Sequence, residues 1–94
     1  MKGTEKQIAW ATEIVNNINK VIDYTIEKAV PTFNIPQDQK VAGIKKLESL
    51  KSSINSQAYA GTVIDHFNTF RCTGDMQADF NSLMSAIRIS GYKY

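Results

Sequence analysis

The chain holds one cysteine, Cys72, one histidine, His66, two prolines and five scattered glycines. Each scarcity closes off a class of protein. A lone thiol cannot form an intramolecular disulfide, which excludes a small secreted scaffold stapled by cysteines. The glycines fall in no G-x-x-x-x-G-K order, so no phosphate-cradling loop is present. No apolar run is long enough to span a bilayer, and "MKGTEKQ" lacks the apolar stretch of a signal peptide. These features predict a cytoplasmic protein. Charge is nearly balanced, with eleven basic and nine acidic residues and a net +2. That is far from the basic stripe of a dedicated DNA binder.

What remains is ordinary globular composition over 94 residues, enough for one domain with its own core. Thr4 and Gln7 have the spacing of a capping box, and Glu5 complements the dipole of the helix that follows. Apolar residues then recur at Ile8, Ala11, Val15, Ile18, Ile22 and Ala29, with Thr25 in the one polar slot. Trp10, Ile14, Val21 and Ile26 widen this stripe beyond a two-residue seam, which suits a helix packed against several others. Pro31 is expected to end it near Ala29 or Val30.

The connector "PTFNIPQDQK" is expected to tuck Phe33 and Ile35 onto the bundle. A second helix starts near Pro36 or Gln37 and carries Val41, Ile44, Leu47, Leu50 and Ile54 on one face. Gly43 interrupts it at a cost of about 1 kcal/mol relative to alanine and suggests a close helix contact. After a break at "SSINSQ", a third helix presents Tyr59, Ala60, Val63, Ile64, Phe67 and Phe70. "RCTGD" is a loop. The last helix runs from about Asp75 to Arg88, burying Met76, Phe80, Leu83, Met84 and Ile87, with Gly91 as its stop and "YKY" as a tail. The pattern predicts an all-α, single-domain antiparallel bundle of about four helices over residues 1–94, with a long first helix as its spine.

Nothing in this pattern calls for catalysis. His66 and Cys72 stand six residues apart and share no helix face, so they do not make a base and nucleophile. His66, Cys72, Asp75 and Asp79 lack the spacings of a metal site, and Asp75 and Asp79 suit the start of a helix. No catalytic, metal or cofactor residue is assigned. The candidate contacts are surface side chains: Trp10, which either completes the core or anchors a partner; the Lys45–Lys46 pair on the second helix; and Tyr92 and Tyr94 in the tail. A basic helix with aromatics nearby also suits nucleic acid. The heptad positions of the first helix leave a homodimer open.

The stretch "EKQIAWATEI" resembles the first helix of short helical proteins from phages and bacterial mobile elements, some of which carry "KQIAWAxxI". In those proteins a later helix reads roughly Ser-Ala-x-x-Trp-Ile-Asp-x-Arg. Here Ala60, Ile64 and Asp65 match that pattern, Val63 replaces the tryptophan and Phe67 stands in place of the arginine. The resemblance covers about a fifth of the chain. It implies an accessory protein that occupies a surface on a host protein, a group that includes anti-CRISPR and other anti-defence inhibitors. Inhibitors that imitate DNA are strongly acidic, whereas this chain is mildly basic. Binding through shape and apolar anchors is therefore expected, with a role on nucleic acid in replication or recombination as the alternative.

Overall fold

The computed structural model describes residues 1–94. It contains α1 (Glu5–Tyr24), α2 (Gln37–Asn55), α3 (Ala60–Phe67) and α4 (Met76–Ser90). The Thr4 hydroxyl accepts the Gln7 amide at 3.2 Å and the Gln7 side chain accepts the Thr4 amide at 3.0 Å, completing the capping box. Ala11, Ile14, Val15, Ile18, Val21 and Ile22 are all buried along α1. The widened stripe is therefore one broad core face, and the heptad seam is covered by the chain's own helices.

Pro31 does not end the first helix where its steric preference alone places the boundary. Past Tyr24 the backbone opens into a π turn over Thr25–Ala29 and tightens into a 3-10 turn over Val30–Thr32. Val30 itself keeps helical angles, at φ −57° and ψ −42°. Proline lacks the amide for an α-type bond, and its ring crowds the carbonyl four residues back. A wider turn just ahead of it relieves both constraints. The Thr25 hydroxyl, buried in the one polar slot of the stripe, donates to the Val21 carbonyl at 2.8 Å. The result is a spine of roughly 42 Å at 1.5 Å per residue, which explains the elongated 45 × 24 × 21 Å shape.

Helix α2 runs antiparallel to α1. Asn19 and Asn55 exchange amide hydrogen bonds at 3.0 and 2.8 Å, and one turn further along the Lys51 ammonium meets the Asp23 carboxylate at 2.6 Å. Leu47, Leu50 and Ile54 are buried, but Ile44 is only half-buried and Val41 is exposed. The first half of α2 thus leaves the shelter of the bundle. No close helix contact explains Gly43, since a methyl group built there would meet nothing within 4 Å.

Ser52–Asn55 belong to α2, so the break before α3 is shorter than the serines suggest. Lys2 reaches back to this break: its amide donates to the Ala58 carbonyl at 2.6 Å and its carbonyl accepts the Ala60 amide at 2.8 Å. Helix α3 ends at Phe67, and Phe70 is buried from the loop beyond it. In α4, Leu83 and Ala86 take the core, while Met76, Phe80, Met84 and Ile87 are half-buried at its edge. Gly91 ends α4 in the left-handed region at φ +69°, where a glycine costs least. No helix is long and apolar enough to cross a membrane.

Candidate interaction surface

Tyr59, expected on the buried stripe of α3, is its exposed N-cap residue. Several further departures from the expected packing lie around one cleft. Phe33 and Ile35 are not tucked onto the bundle; both are exposed. They line an open cleft of about 230 Å³ between the connector, the uncovered half of α2 and the edge of α4. The buried residues Thr25, Val30 and Leu47 form its base, and Phe80 and Met84 reach it from α4. Gly43 lies in its lining, with Lys40, Lys46 and Tyr94 among the polar and aromatic groups beside it.

Lys45, Lys46, Ser49 and Tyr94 enclose a second, more polar groove of about 350 Å³. Lys46 and Tyr94 belong to both depressions, so the two are continuous. Three of the five contact candidates, Lys45, Lys46 and Tyr94, are therefore neighbours. Both lysines are exposed. The chain has a single salt bridge, Lys51 to Asp23, so neither Lys45 nor Lys46 has a carboxylate partner.

Tyr92 is not a surface contact. It is buried, its ring 5.0 Å from that of Phe67 and 5.2 Å from that of His66. Its hydroxyl shares a 2.6 Å hydrogen bond with the Ser53 hydroxyl and accepts from the Gln57 amide at 2.8 Å. The expected tail is thus a clasp: the left-handed turn at Gly91 folds Tyr92 back between α2 and α3. Tyr94 stacks on Tyr92 at 6.4 Å between ring centroids and remains exposed.

Trp10 is half exposed, at 50% of its full surface. It lines a separate groove of about 180 Å³ with Glu13, Asn17, Phe70, Arg71 and Cys72. Fifteen residues of helix separate it from Thr25 at the base of the cleft, roughly 22 Å at the α-helical rise. Trp10 therefore marks a second surface, apart from the lysines and Tyr94.

The loop beside Trp10 is held by Asp79. Its position in the first turn of α4 suggested a simple dipole residue, yet the side chain is fully buried. The carboxylate accepts from the Thr73 amide at 2.8 Å, the Thr73 hydroxyl at 2.9 Å, the Gly74 amide at 3.1 Å and the Cys72 thiol at 3.5 Å. These donors, the Thr73 amide foremost, hold its pKa below the ordinary aspartate value despite the burial that opposes them. Partial burial of the Cys72 thiol, and then the Asp79 hydrogen bond and negative charge, push the thiol pKa up. That is the reverse of nucleophile activation. Asp75 caps α4 by accepting the Gln77 and Ala78 amides, and His66 Nδ1 lies 2.9 Å from the Thr62 carbonyl. No three His, Cys, Asp or Glu side chains come together as a metal-binding group.

No protein-family model, curated protein or solved structure matches this chain. At the position where the phage-protein pattern has an arginine, Phe67 is fully buried and is the largest of the sealed core residues. Val63, in place of the tryptophan, is also fully buried, whereas Asp65 is exposed. The two departures from that pattern are thus core residues here.

The cleft-lining Phe33, Ile35, Phe80 and Met84 were not among the contact candidates. Their signal was the pairing of two large apolar residues in a connector framed by prolines with a glycine inside the next helix. Apolar pattern alone assigns such residues to a core. Only the placement of α2 leaves them open.

Proposed function

We propose that this protein works by binding a host protein, without chemistry of its own, as an accessory protein of a phage or mobile element. The specific reading is inhibition of a CRISPR nuclease or another defence enzyme. One observation carries the binding reading: an apolar cleft stands open beside unpaired lysines and an exposed tyrosine. Grooves of this make-up suit protein partners, whose affinity concentrates in a few buried anchors. The structural duties of Asp79, Tyr92 and Asp75 support the non-enzymatic part of the reading. The phage or mobile-element origin rests on the "KQIAWAxxI" resemblance.

Expression of the tagged protein in a bacterium with active CRISPR and restriction systems tests this reading. After nuclease digestion and purification, mass spectrometry is expected to find one host protein at stoichiometric level, a defence nuclease on the specific reading. Retention of nothing after digestion overturns it.

The second reading, a nucleic-acid accessory factor, draws support from Lys45 and Lys46 flanking Tyr94 in one groove. Basic side chains beside an aromatic ring are the elements of single-strand binding. It requires affinity for an oligonucleotide that falls steeply with salt. A flat salt dependence excludes it.

A further inference from the structure

We propose that the cleft between the Phe33–Ile35 connector, α2 and α4 is a docking groove for an amphipathic partner helix with carboxylates along its flank. The inference rests on the protein-binding reading and gives the partner a chemistry.

Three independent features point to that occupant. The first is shape. The apolar cleft and the lysine groove meet at Lys46 and Tyr94, so the surface runs along α2 from Gln39 to Ser49. That is about 15 Å, a little under three helical turns. A helix laid along it would place apolar residues at i, i+3 or i+4, and i+7.

The second is charge. Residues 28–51 contain five lysines and two acidic residues, whereas the rest of the chain has six basic and seven acidic residues. Two of the five, Lys28 and Lys51, lie outside the two grooves; Lys40, Lys45 and Lys46 line them, and no acidic residue does. Of these lysines only Lys51 is in an ion pair. Lys40 reaches no more than the Pro31 carbonyl, at 3.4 Å, leaving its charge available with those of Lys45 and Lys46. Carboxylates on the flank of a bound helix would complete these groups.

The third is Gly43. Glycine weakens a helix interior, and nothing in the packing of this chain requires one here. In the lining of the cleft, its missing side chain is a notch that allows a partner to approach the α2 backbone. Single-stranded nucleic acid would gain from the lysines. A base would stack on Phe33 or Tyr94, but the aliphatic Ile35 and the thioether of Met84 would be left without an apolar counterpart.

Chemical-shift mapping on the isotope-labelled full chain tests the proposal. The probe is a helical peptide of about five turns, with leucines on one face and glutamates along both flanks. The same peptide with lysines replacing the glutamates is one control, and an oligothymidine is the competitor. The glutamate peptide is expected to shift the amides of Phe33, Gly43, Lys46 and Met84, and to bind at least roughly fivefold more tightly than the lysine form. Gly43→Leu, which suits a helix and fills the notch, is expected to abolish most of the binding without lowering the melting temperature. Lys46→Glu is expected to weaken binding and flatten its salt dependence.

Equal binding of the two peptides, shifts confined to the Trp10 groove, or unchanged binding by Gly43→Leu overturns the proposal. So does displacement of the peptide by a lower concentration of oligothymidine. The same variant separates this inference from the broader reading. If a host-protein complex survives nuclease treatment and forms undiminished with Gly43→Leu, the cleft proposal fails and the protein-binding reading stands. If no complex forms with either chain, the protein-binding reading fails and takes this inference with it.

Discussion

The carboxylate of Asp79 receives both the backbone amide and the hydroxyl of Thr73, at 2.8 and 2.9 Å. With the Gly74 amide and the Cys72 thiol on the same group, one buried side chain orders the Cys72–Gly74 half of the turn from α3 into α4. Ahead of it, the Ser82 hydroxyl accepts the Arg71 amide. The turn stands against Trp10, so the arrangement links the stability of the fold to the shape of that second surface.

Asp79→Asn places an amide among donors that need an acceptor, and buried donors without partners are costly. The melting temperature at pH 7 is expected to fall by at least about 5 °C. The sign with pH follows from the lowered pKa. A carboxyl whose folded pKa lies below its unfolded value of about 3.9 stabilises the fold above that value. The contribution is lost as pH falls through the folded pKa. The deficit of the Asn variant, followed by thermal melts in citrate and phosphate, should therefore narrow below about pH 4. A deficit independent of pH would show that the negative charge contributes nothing.

Cys72 gives a separate readout of the same loop. Although the residue is exposed, its thiol pKa is raised, so little thiolate is present near neutrality. Alkylation by iodoacetamide is expected to be slower than for a free cysteine at pH 7.5 and to climb past pH 9. Asp79→Asn should accelerate it. A rate in the wild type equal to that of a model thiol contradicts the account.

Gly43→Ala should stabilise the fold by about 1 kcal/mol, because the added methyl meets no atom within 4 Å. Urea denaturation measures this directly. A loss of stability would mean that α2 packs more closely at this point than its open lining implies.

Tyr92 and Trp10 should separate cleanly. Tyr92→Phe removes the hydroxyl shared by Ser53 and Gln57 and is expected to cost about 1–3 kcal/mol. Trp10→Ala and Tyr94→Ala, on exposed side chains, are expected to stay within about 1 kcal/mol of the wild type. Equilibrium unfolding of the three variants checks the contrast. If Trp10→Ala is the most damaging, Trp10 belongs to the core after all.

The contrast also marks how far the sequence could be read. The capping box at Thr4, the apolar period of α1, the start of α2 and the stop at Gly91 were legible, because each depends on residues within a turn or two of one another. The grouping of Lys45, Lys46 and Tyr94 could be anticipated only as separate surface candidates. Tyr92 was out of reach: its burial depends on Ser53 and Gln57, 39 and 35 residues away. Asp79 looked like any aspartate in a first helical turn. Its donors come from a loop whose path the local pattern does not prescribe.

Sequence by itself determined that this chain is helical, how many helices it forms and which broad stripe of the first is buried. Helical period and terminal capping are short-range effects, written in neighbouring side chains. Tertiary structure alone decided that the spine continues through Pro31, that half of α2 stands clear of the bundle and that the connector lines a cleft. Those outcomes depend on helices competing for one limited core. Leu47, Leu50 and Ile54 secure their places in it, and Phe33, Ile35 and Val41 are left facing outward.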